Sequence, residues 1–71
     1  MTDKNLLRYH MAKKEINNNK LAKLLGISES SLYRKINGAS DFTRNEIQII
    51  RKELDLNDAE VMDIFFNENL A

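Results

Sequence analysis

The 71-residue chain carries eleven Lys/Arg against eleven Asp/Glu, one histidine, no cysteine, no proline and two glycines. That length predicts one domain over residues 1–71, whose single modest core buries roughly 60% of the surface exposed by the unfolded chain. The Cys and His counts leave no disulfide framework and no clustered metal site, and no stretch approaches the ~18 apolar residues of a membrane span or the apolar region of a signal peptide. These features fit a reducing cytoplasm, with no membrane partner, no small-molecule substrate and no cofactor.

In chain order, Thr2 or Asp3 is placed to cap a first helix running to about Lys14, with Leu6, Leu7 and Met11 facing a core. Tyr9 and His10 flank that stripe. With no second histidine and no cysteine to pair with, His10 reads as a partly exposed helix residue, neither ligand nor base. Ile16 precedes Asn17 as a hydrophobic staple, which sets the first helix against the segments that follow.

From Asn17 to Gly38 two short apolar-periodic segments meet at Gly26-Ile27-Ser28, a glycine able to take positive φ followed closely by a capping residue. Asn17 caps the first segment, in which Leu21, Ala22, Leu24 and Leu25 fall on one side of a wheel advancing ~100° per residue, opposite Asn19, Lys20 and Lys23. Leu25 is read as lying between helices. Ser28 caps the second segment, where Leu32 and Ile36 are the only large aliphatic residues and both face inward. Ser30, Arg34 and Asn37 are thereby sent to roughly the opposite side, flanked by Ser31 and Tyr33. This is a helix-turn-helix in residue types, about residues 17–38. A short, polar, cationic stripe can enter a DNA major groove, where serine and arginine meet base edges and asparagine and lysine reach phosphates; any surface helix also has a solvated polar face.

Asn37-Gly38-Ala39-Ser40-Asp41 is a turn cluster, and Phe42 an inward anchor. Thr43-Arg44-Asn45-Glu46 is a capping box opening a fourth helix, whose first amides can hold a DNA phosphate beside Arg44. Ile47, Ile50 and Leu54 form its core stripe, with Ile49 about 200° from Ile47 on the wheel. A break at Asp55-Leu56-Asn57 leads to a fifth helix, capped by Asn57 with Glu60 and reaching about Phe66, with Val61, Ile64 and Phe65 on the core. Ile49, Met62 and Phe66 lie off the core faces. They read either as an apolar patch for a second copy or another protein, or as the edge of a small core. Asn67 to Ala71 reads as a frayed end. No strand pattern occurs, so the fold class is all-α, a compact five-helix bundle. Charge divides along it: residues 1–38 hold eight Lys/Arg against three Asp/Glu, a net of +5, and residues 39–71 hold the reverse, a net of −5.

Three stretches, Leu-Ala-Lys-Leu-Leu-Gly-Ile-Ser, Leu-Tyr-Arg-Lys-Ile-Asn-Gly and Asp-Phe-Thr-Arg-Asn-Glu-Ile, resemble the phage-repressor and Cro-like regulators of the XRE helix-turn-helix family, with the likeness running from about Leu6 to about Phe66. The resemblance implies a lambda-repressor-like DNA-binding domain with a recognition helix at about 28–37. It places base-facing roles on Glu29, Ser30 and Arg34, and phosphate or sugar contacts on Asn18, Asn37 and Arg44. Tyr33, beside the outward stripe, joins the base-reading set; Asn17 and Lys23 join the phosphate-contacting set. Two positions differ from the common pattern of the family: Asn18 stands where many members carry glutamine, and Lys35 where many carry an aliphatic residue. The implied function is that of a sequence-specific transcriptional regulator of phage or prophage type. It would occupy an operator in double-stranded DNA, act by occupancy alone, and read two half-sites as a homodimer. An enzyme is not expected, because the residues for a catalytic constellation are missing. The alternative is an interaction module derived from a helix-turn-helix, such as an antitoxin or assembly factor. Arg34 and the basic amino-terminal half favour DNA, whereas Glu29 on the recognition helix and the zero net charge favour the alternative.

Overall fold

A computed structural model describes residues 2–67. Among them are five helices and no strand: α1 (Lys4–Lys13), α2 (Asn18–Leu25), α3 (Glu29–Ile36), α4 (Arg44–Glu53) and α5 (Asp58–Phe65). None of these five helices is long and apolar enough to cross a membrane. The expected fraying falls mostly on residues 68–71, which lie outside the described residues.

Helices of eight to ten residues are marginal alone, so their ends must be specified and their faces buried. Every one starts at a side-chain cap: Asp3, Asn17, Ser28, Thr43 and Asn57 accept the backbone N–H of the residue three further on. In α4 and α5 the carboxylates of Glu46 and Glu60 return to the amide of the cap, completing two capping boxes. Each such cap contributes about 1 kcal/mol.

The carboxyl ends repeat a second device. Glu15, Gly26, Gly38 and Asp55 take φ of 55°, 70°, 85° and 54°. In each case the next residue donates its N–H to the carbonyl five residues back: Ile16 to Met11, Ile27 to Ala22, Ala39 to Arg34 and Leu56 to Arg51, at 2.9 to 3.0 Å. This is the Schellman closure. In three of the four the residue after the left-handed position is an aliphatic anchor, Ile16, Ile27 or Leu56, and the next helix cap follows at once. Glycine takes this conformation without steric cost at Gly26 and Gly38; Glu15 and Asp55 carry a Cβ into it.

Leu7, Leu21, Leu32, Ile36, Ile50, Leu54 and Ile64 are the fully buried side chains at the centre of the core. α2 packs on α3 and α4, and α5 closes over α1 and α4. The sequence placed α1 against the helix-turn-helix, but its closest helical partner is α5, tied by the Asp3 N–H donating to the Ile64 carbonyl at 2.6 Å. His10 is corrected by the same packing. It is 6% exposed, not partly open, with Nε2 3.7 Å from Glu60 Oε2 and its ring edge-on to Tyr9. The reason is helical spacing: His10 follows buried Leu7 by three positions and so shares the face that α5 covers. Leu24 is only half-buried, because it falls outside the arc of Leu21, Leu25 and Ala22 on the α2 wheel; Leu25 packs on the core from a half-buried position. Phe42 anchors the α3–α4 connection edge-on against Phe65, with ring centres 5.4 Å apart.

An ion pair spans the same connection. Lys35, on the last turn of α3, donates from Nζ to Glu46 Oε1 at 2.6 Å, and the same oxygen accepts the Thr43 N–H at 2.8 Å. Burial alone would raise the Glu46 pKa, but the Lys35 hydrogen bond and charge, together with the Thr43 bonds, outweigh it and leave the carboxyl below its ordinary value of 4.5.

Leu21→Ala should cost roughly 2–5 kcal/mol in denaturant unfolding, enough to leave so small a domain largely unfolded, while Leu25→Ala should cost clearly less. Equal losses would mean that the half-buried placement of Leu25 is wrong. Glu15→Gly should raise stability by about 0.5–1 kcal/mol, because relief of left-handed strain exceeds the added entropy of the unfolded chain. Asp55→Gly should gain less, since aspartate tolerates that conformation better; a loss at position 15 would contradict this account. For Glu46, a depressed folded pKa means that its stabilisation is complete above 4.5 and is lost as pH falls through the folded value. The parent should therefore exceed Glu46→Gln in stability at neutral pH and converge on it in acid. Parallel pH profiles would refute the assignment.

Candidate nucleic-acid interface

α3 has two large aliphatic residues, and both are buried, Leu32 at 0% and Ile36 at 2% exposure. Fixing that face turns Glu29, Ser30, Tyr33 and Arg34 outward, all exposed. Together with Asn18, the first residue of α2, these four line one shallow open groove. The side chains expected to read bases are therefore brought to a single surface, with one of the expected phosphate contacts at its edge.

A second groove adjoins it at the start of α2, lined by Arg8, Glu15, Asn17, Asn18, Asn19 and Glu29 among others. Glu29 belongs to both, and its Oε2 accepts from Asn19 Nδ2 at 3.1 Å, which joins the first turns of α2 and α3. Arg8 and Asn19 were not singled out from the sequence. Asn19 could be placed on the outer side of α2 by periodicity, but its contact with a residue ten positions away depends on the angle between the two helices.

The other expected contacts are distributed around this surface. Asn17 uses Oδ1 to cap α2, accepting the Lys20 N–H at 2.8 Å. Asn37 donates one Nδ2 hydrogen to the Tyr33 carbonyl at 2.8 Å, closing the end of α3. Lys23 and Arg44 are exposed, Arg44 as the first residue of α4, and neither lines these two grooves. Gly26 sets the angle between α2 and α3; a Cβ there would meet no atom within 4 Å, so its requirement is the φ of 70° and not space.

The proposed apolar patch is divided. Met62 and Phe66 are about half-exposed, whereas Ile49 is half-buried. Phe66 lines a cleft with Thr2, Asp41, Phe42, Ile47 and Phe65, and Ile49 lines a different one with Gln48, Arg51, Lys52, Asp55 and Leu56.

No curated protein and no solved structure matches the chain. The family model for the Cro/C1-type HTH DNA-binding domain does, over residues 6–66. That span takes in the capped turn at residues 26–28, the outward groove on α3 and helices α4 and α5, and the chain belongs to the Cro/C1-type HTH DNA-binding domain family.

Proposed function

We propose that this single domain is a sequence-specific transcriptional regulator of phage or prophage type, which inserts α3 into the major groove of an operator in double-stranded DNA and represses by occupancy. The observation that carries the reading is the outward groove: Glu29, Ser30, Tyr33 and Arg34 share one exposed surface opposite buried Leu32 and Ile36. Arg34 is the principal base reader, because a guanidinium can donate two parallel hydrogen bonds to guanine O6 and N7. Glu29 can accept from cytosine N4, and Ser30 and Tyr33 complete the reading set. Asn17, Asn18, Lys23, Asn37 and Arg44 contact phosphates, with the first amides of α4 alongside Arg44. Two copies on one duplex would place their α3 helices about one helical turn apart.

Selection of bound fragments from genomic DNA yields the matched duplex for the test. Arg34→Ala should cost about 1–3 kcal/mol on that duplex and much less on a scrambled one. Lys23→Ala and Arg44→Ala should weaken both duplexes alike, each flattening the log–log salt dependence by about one unit of slope. If Arg34→Ala loses affinity equally on both, Arg34 is a phosphate ligand and reading passes to Ser30, Tyr33 and Glu29. If none of the three variants changes binding, the chain acts as a protein-interaction module instead.

A further inference from the structure

The Lys35–Glu46 pair lies outside the outward groove and contributes no side chain to it. Its geometry nevertheless joins the two elements that the proposed DNA complex depends on. Lys35 directly follows Arg34 on the last turn of α3, and Glu46 sits three residues inside the start of α4, after Thr43 and Arg44. The side chains of the pair are 15% and 9% exposed. Glu46 Oε1 accepts both Lys35 Nζ at 2.6 Å and the Thr43 N–H at 2.8 Å. Lys35 Nζ also reaches the Asp41 carbonyl at 3.4 Å, and the Glu46 N–H returns to Thr43 Oγ1 at 3.1 Å. One carboxylate oxygen thus holds the end of α3, the turn before α4 and the first turn of α4 together.

Apolar burial is non-directional, so Leu32 and Ile36 fix how deeply α3 sits while constraining its rotation and tilt only through packing. A charge-assisted hydrogen bond is directional and short. Two-pronged base recognition needs its donors held within about 0.5 Å and 10–20° of the productive geometry. Three of the four side chains proposed to read bases lie within the five residues before Lys35. We infer that Lys35 and Glu46 are positioning residues for DNA reading, their part-buried ion pair fixing α3 against the start of α4 so that Arg34 meets its base in register. This inference rests on the DNA-reading role proposed above and adds to it a determinant that touches no base.

The test compares four proteins, the parent, Lys35→Met, Glu46→Gln and the double variant, on matched and scrambled duplexes at two salt concentrations, each with a thermal midpoint. Glutamine at position 46 can still accept the Thr43 N–H and keep the capping box, and methionine retains most of the apolar volume of the lysine stem. The double variant leaves no unpaired buried charge, so it is the folded reference should Lys35→Met alone fail to fold. The expected result is a matched-to-scrambled ratio reduced about tenfold in each folded single variant and no further in the double, as coupled partners behave. The salt slope should match the parent, and the double variant should unfold cooperatively. A ratio equal to the parent, with only the midpoint lowered, overturns the inference and leaves a purely structural pair. A slope lower by about one unit, with equal loss on both duplexes, overturns it in favour of Lys35 as a phosphate ligand. A parent with no preference between the duplexes overturns the DNA reading itself, and the positioning role with it.

Discussion

With Leu32 and Ile36 fully buried one turn apart, an eight-residue helix must keep the face that carries both turned inward. Exposing either would forfeit about 1.5–3 kcal/mol of apolar burial, a large fraction of the stability available to a domain of this size. Everything on the outer side of α3 follows from that constraint. Glu29, Ser30, Tyr33 and Arg34 are outward because their neighbours are inward, and the groove they line with Asn18 comes from α3 seating against α2. Chemistry is thus placed by packing: the two aliphatic residues of α3 decide which of its faces turns outward and leave its polar residues free to serve a ligand.

Short helices shift the burden of definition to their ends. Four of the five carboxyl ends close on a left-handed residue, and three of those are followed by an aliphatic anchor and then a new cap. In those three the chain passes from one helix to the next within three or four residues and without proline. The strain is uneven. Gly26, between the two helices of the helix-turn-helix, needs only its backbone freedom, whereas Glu15 and Asp55 adopt the same conformation with side chains attached. Both of these residues lie outside the α2–α3 unit, and Glu15 lines the groove at the start of α2 beside Asn17 and Asn18.

The features legible in the sequence were those written within one turn of the chain. Asn17, Ser28, Thr43 and Asn57 were readable as caps because a cap and its target amide are three residues apart, and the inward faces of α3, α4 and α5 were readable from aliphatic spacing. A lone histidine carries no chemical sign of burial, and it is the spacing of His10 from Leu7 that puts it on a covered face. Leu24 shares the aliphatic character of Leu21 and Leu25 but not their arc of the α2 wheel, and stays half-buried. The remaining features depend on tertiary geometry. The Asp3–Ile64 backbone bond has no side-chain signature, and Lys35 meets Glu46 across eleven positions and two helices, a separation that periodicity does not address. A lysine next to an inward isoleucine was the one visible trace of that pair, since a cation at the edge of a buried face calls for a partner.

Zero net charge and a basic amino-terminal half are reconciled by where the acids go. Among the described residues Lys14 pairs with Asp55, Lys35 with Glu46 and Arg51 with Asp58, while His10 lies beside Glu60. Three of these four acids belong to α5 or the turn before it, and Arg8, Lys23, Arg34 and Arg44 form no ion pair with another described residue. The acidic half therefore engages cations at the rear and at the joints of the bundle without quenching those proposed to meet DNA. Its field still opposes a polyanion, but screening beyond about 8 Å at physiological ionic strength limits that opposition to acids close to the bound DNA. A domain so built should hold nonspecific DNA weakly, so that short-range contacts from the exposed side of α3 decide where it stays.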